Sequence, residues 1–76
     1  MKDSFDELIE NRKLQHSSDN VWELWIENAT NCEFMVKIQR LSDRLTYRVS
    51  VVDMTETELF ETRSPNKIND FIELVS

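Results

Sequence analysis

The chain contains no glycine. Glycine takes positive φ at no steric cost and lets backbone approach a ligand closely. Its absence removes the loops that cradle phosphates and the turns that open dinucleotide-binding folds, since both are built on it. It also constrains how the chain can turn. Asn, Asp and Ser are the expected turn residues, because their short side chains bond to nearby backbone. They gather where the hydrophobic pattern breaks, at residues 16–20, 28–31 and 41–43.

Between those breaks the apolar residues keep a period of two. Trp22, Leu24 and Ile26 alternate with Glu23, Trp25 and Glu27, which predicts a strand. Phe34, Val36 and Ile38 alternate with Glu33, Met35, Lys37 and Gln39 as a second strand. Leu45, Tyr47, Val49 and Val51 alternate with Thr46, Arg48, Ser50 and Val52 as a third. Residues 58–62 predict a weaker fourth strand at a sheet edge. If the first two strands pair so that residue numbers sum to 60, Trp22 faces Ile38, Leu24 faces Val36 and Ile26 faces Phe34. Glu23 then faces Lys37 and Trp25 faces Met35, opposite charges and an aromatic–sulfur pair, as cross-strand neighbours favour.

The ends of the chain change to a helical period. Phe5, Leu8 and Ile9 form one stripe in a helix over residues 3–13, with Ser4 and Glu7 spaced as a capping box. Arg12 and Lys13 close it, complementing the helix dipole. Ile68, Phe71, Ile72 and Val75 give a second stripe over residues 65–75, with Ser64 as N-cap and Pro65 at the first helical position. The expected fold is one α+β domain over residues 1–76. It is a three- to four-stranded antiparallel meander sheet, with the N- and C-terminal helices packed on one face. At 76 residues the core is thin, and a strained catalytic cleft is hard to support.

Fifteen Asp and Glu against nine Lys and Arg give a net charge of −6. That surplus repels nucleic-acid phosphates and anionic membranes and favours basic partners. Cys32 is the only cysteine, and residues 1–7 are polar and acidic rather than leader-like, so the expected location is the cytoplasm. No apolar run approaches a membrane span.

Catalytic chemistry finds little to work with. One Cys and one His cannot make a zinc site, and Asp53, Glu56, Glu58 and Glu61 lack the spacing and glycine of a calcium loop. Cys32 opens the second strand on the inward parity, where a small thiol usually packs, and His16 falls in a polar stretch. No enzyme activity and no cofactor are expected. Asn28-Ala29-Thr30 fits the glycosylation pattern, which without a secretory context reads as turn sequence. Arg40, Arg44 and Arg48 gather around the second hairpin near Lys37, and pairing with Asp43, Glu33 or Glu27 across strands is expected.

The order of elements resembles the double-stranded-RNA-binding domain, which runs α-β-β-β-α at about this length. That module grips RNA through a basic start to its second helix. Arg63-Ser64-Pro65-Asn66-Lys67 stands there in this chain, with two cations and no lysine run. The likeness is therefore one of order alone.

The pattern leads instead to a non-catalytic protein-interaction module, a regulator or inhibitor that docks on another protein. Trp25, Met35 and Val52, joined by Leu59, fall on the parity opposite the core and make the expected contact face, for a partner or for a second copy of the chain. A sharper version is a nucleic-acid mimic, with Asp3, Asp6, Glu7, Glu10, Asp53, Glu56, Glu58 and Glu61 standing in for phosphates. The alternative is weak nucleic-acid binding through Arg40, Arg44, Arg48, Arg63 and Lys67.

Overall fold

A computed structural model describes residues 4–27 and 33–76. Helix α1 (Ser4–Arg12) is followed by strands β1 (Gln15–Ser18), β2 (Val21–Glu27), β3 (Glu33–Arg40), β4 (Tyr47–Asp53) and β5 (Thr55–Thr62). Helix α2 (Pro65–Val75) ends the chain. The strands form one antiparallel sheet in the order β1-β2-β3-β4-β5.

The α+β class and the meander stand, but the sheet has five strands rather than three or four. The order therefore departs from that of the double-stranded-RNA-binding domain. β1, expected as loop, escapes a hydrophobic reading because all four of its residues are exposed. Backbone pairing holds it, Gln15 to Glu23 and His16 to Trp22, with an irregularity before Ser18. The His16 ring lies near-parallel to that of Trp22, with centroids 5.2 Å apart. β5 begins three residues earlier than residue 58, since the Thr/Glu alternation of a solvated edge carries no apolar signal.

The register of β2 on β3 is the one the alternation requires. Trp22 pairs with Ile38, Glu23 with Lys37, Leu24 with Val36, Trp25 with Met35 and Ile26 with Phe34. The inner face carries Trp22, Ile26, Val36, Ile38, Tyr47 and Val49. These pack with Phe5 and Leu8 of α1 and Ile68 and Ile72 of α2 into a single core. Both helices thus lie on one face. Phe5 is central: its ring stacks on Tyr47 at 4.3 Å and meets Trp22 edge-on at 4.8 Å. Full burial of such a side chain stabilises by roughly 1.5–3 kcal/mol.

The core departs from the apolar pattern at Leu45 and Phe71 and gains Leu14. Leu45 is 59% exposed, because the chain is still in its turn there and β4 starts only at Tyr47. Leu14 is buried, carried inward by the end of α1. Phe71 is only partly buried and packs edge-on against Phe60, while Ile68 and Ile72 take the fully buried positions.

Among the described residues four take positive φ: Lys13, Asn20, Arg44 and Met54. Only Asn20 is of the expected turn type. Lys13 occupies the left-handed position after α1, and the amide of Leu14 donates to Ile9 O at 3.0 Å, the six-to-one bond of a Schellman ending. Ser4 lies inside α1 rather than at its cap, and residue 3 lies outside the described residues. Ser64 occupies the N-cap of α2 with extended backbone, but its side chain makes no capping bond. Cys32 and the 28–30 glycosylation pattern also lie outside the described residues.

Candidate functional site

With both helices on the inner face, the outer face of the sheet is left to the alternate residues of β2 to β5. Trp25, Met35 and Val52 line up in one cross-strand row that ends at Glu56 of β5. Trp25 is 63% exposed; Met35 and Val52 are half-buried. Leu59 does not join that row. It is the extra residue of a β-bulge, since Val49 pairs with Phe60 while Ser50 pairs with Glu58, and it is itself exposed.

Trp25 sits where β1 no longer covers β2, because the last β1 pairing is Gln15 with Glu23. Among the described residues no strand pairs with β2 on that side from Leu24 to Glu27, where Asn11, Arg12 and Lys13 line a shallow depression beside it. A second shallow depression there is lined by Trp25, Ile26, Glu27 and Glu33. Glu23 and Glu27 flank Trp25 on its own strand, and Glu27 stands directly opposite Glu33. Like charges in that position repel. No ion pair joins Glu23, Glu27 or Glu33 to a cation among the described residues.

Farther across the same face the charges are matched. Lys37 Nζ reaches Glu56 at 2.8 Å rather than Glu23 opposite it, and Arg48 holds Glu61 at 3.0 Å and Glu58 at 3.5 Å. These pairs are exposed and each contributes little to stability. They do break up the acidic set. Asp6, Glu7 and Glu10 lie on α1, on the helical side, while Glu56, Glu58 and Glu61 lie on β5 with cations beside them and Asp53 ends β4. Asp3 lies outside the described residues.

The arginines also separate. Arg48 pairs on the outer face as expected, though with β5 rather than with Asp43, Glu33 or Glu27. Asp43 instead meets Arg63, at 4.0 Å. No carboxylate among the described residues pairs with Arg40 or Arg44. Arg40 points to the inner parity, where its guanidinium carbon lies 5.2–5.6 Å from the ring centroids of Trp22, Phe5 and Tyr47. The alternation of β3 carried this signal, since residue 40 shares the parity of Val36 and Ile38.

Comparison with protein-family models, curated protein sequences and solved structures finds no match to this chain. Among the described residues no helix is long and apolar enough to cross a membrane. No group of three or more His, Cys, Asp or Glu there is gathered for a metal ion.

Proposed function

We propose that this chain is a non-catalytic binding module that docks on a basic segment of another protein through the outer face around Trp25. One observation carries the reading: an exposed tryptophan on the part of β2 that no described strand pairs beyond β1, beside the opposed carboxylates Glu27 and Glu33. An incoming Lys or Arg would relieve the Glu27–Glu33 repulsion and lie against the indole face, a favourable cation–π contact. Met35 and Val52 extend the apolar strip, and that part of β2 offers backbone groups to an extended peptide. The same carboxylates disfavour a second copy of this chain as the occupant. Regulation or inhibition of the partner is the role such a surface serves. The lone cysteine suits work in the reducing cytoplasm.

The mimic version has less support, because the carboxylates of β5 are interleaved with Lys37 and Arg48 and lie on the side opposite α1. Nucleic-acid binding by a common arginine surface loses Arg48 to the outer face. The test compares proteins captured from the source cell by the wild type and by Trp25→Ala. Trp25→Ala is expected to keep its melting transition and to weaken the captured interaction by about 2 kcal/mol, as loss of a central aromatic anchor does. Unchanged capture by Trp25→Ala would overturn the reading.

A further inference from the structure

Among the described residues no carboxylate forms an ion pair with Arg40. Its Nε is buried and has no acceptor among the described residues. Three aromatic rings surround the guanidinium and return part of the lost hydration. A partly buried guanidinium is ordinarily completed by an anion held in hydrogen bonds, and none of the described residues supplies one. Beside it runs a groove lined by His16, Asp19, Asn20, Trp22, Arg40 and Arg44.

The groove is built from well-fixed parts. The amide of Arg40 donates to Asn20 O at 2.8 Å, tying the β1–β2 turn to the end of β3. Arg44 sits at φ 61 in a loop closed by its own amide bond to Leu41 O at 2.9 Å. Asp43 Oδ1 accepts from the amides of Leu45 and Thr46, both at 2.9 Å, which holds that loop in place. His16 is braced by its stack on Trp22. Two arginines thus line the groove with one carboxylate residue, Asp19, in a molecule whose net charge is −6. The local sign is reversed.

We propose that this groove binds a phosphate group, free or borne on a small phosphomonoester. Arg40 and Arg44 supply the charged donors, and Asn20 and His16 supply further hydrogen-bonding groups at the rim. Guanidinium forks match phosphate oxygens in pairs. A phosphate carrying roughly −1.5 to −2 charges neutralises both arginines, where a carboxylate would leave one uncompensated. Asp19 opposes the ligand and holds the affinity down.

The test uses the full chain, titrated with sodium phosphate, phenyl phosphate, or sodium chloride at matched ionic strength. Melting temperature and the arginine and indole N–H resonances are followed. Phosphate is expected to raise the melting temperature more than chloride does and to shift the Arg40 Nε–H and Trp22 indole signals. Arg44→Gln should weaken phosphate binding about tenfold, the effect of losing a charge-assisted pair, and Asp19→Asn should strengthen it. Both side chains are exposed, so the variants are expected to fold. Tighter binding of phenyl phosphate would assign an ester-borne group that also meets His16, and equal binding would assign free phosphate. Identical responses to phosphate and chloride, or a phosphate response unaltered by both substitutions, would overturn the proposal. Neither outcome touches Trp25, so the two surfaces stand or fall separately.

Discussion

Asp43 organises the β3–β4 loop through its carboxylate. Oδ2 accepts from the Thr46 hydroxyl at 2.6 Å, and Oδ1 from the amides of Leu45 and Thr46. The Thr46 hydroxyl first, then these amides, with Arg63 adding its charge, lower its pKa from 3.8 to about 2. A carboxylate depressed on folding stabilises above its unfolded pKa and loses that contribution as pH falls through the folded one. Asp43→Asn should therefore be less stable than wild type at neutral pH, with the gap closing between about pH 4 and pH 2. Urea titrations across that window check it, and a gap that persists at acid pH would contradict it. At the other end of the sheet, Glu33→Lys should convert the repulsive pair with Glu27 into an attractive one. The fold should gain a few tenths to 1 kcal/mol, while docking of a basic segment weakens. In the core, Ile68→Ala should cost about 2–5 kcal/mol and Phe71→Ala less, since Ile68 is fully enclosed and Phe71 is not.

Helix α1 ends on a lysine in the left-handed region, where glycine is preferred. Lys13→Gly should therefore raise stability by about 0.5–1 kcal/mol, read as a higher melting temperature; a fall would mean that Lys13 has a role beyond the turn. The same position shows where sequence reading stops. The glycine-free composition announced that turns would rely on other residues, but Lys13, Arg44 and Met54 have no intrinsic preference that marks them. Elements with one buried face were legible, and the β2–β3 register followed from alternation and cross-strand chemistry alone. β1 and the start of β5 were not, because a strand solvated on both faces owes its form to backbone pairing with a neighbour. The bulge at Leu59 was equally silent, and it separates Leu59 from the row of Trp25, Met35 and Val52. That row was legible from parity. The groove at Arg40 was not, since it joins β1, β3 and the β3–β4 loop, and only folding brings them together.

Across the whole molecule the charges are sorted rather than spread. Among the described residues, carboxylates without an ion pair flank Trp25, Lys37 and Arg48 are matched with β5 on the outer face, and two arginines without a carboxylate partner line the groove at the opposite end of β2. With a net charge of −6 the folded chain repels itself, so moderate salt should raise the melting temperature by screening. A falling melting temperature would show that the local pairs of Lys37 and Arg48 outweigh the surplus. The central claim, that the outer face at Trp25 receives a basic partner, can be read directly by fluorine NMR of the chain labelled with fluorotryptophan. Trp22 is enclosed and Trp25 exposed, so the two resonances should differ in solvent sensitivity, with Trp25→Phe assigning them. On addition of the captured partner the Trp25 signal should move and lose its solvent sensitivity while the Trp22 signal holds. A partner-bound spectrum in which Trp25 stays solvent-exposed and unmoved would contradict the account.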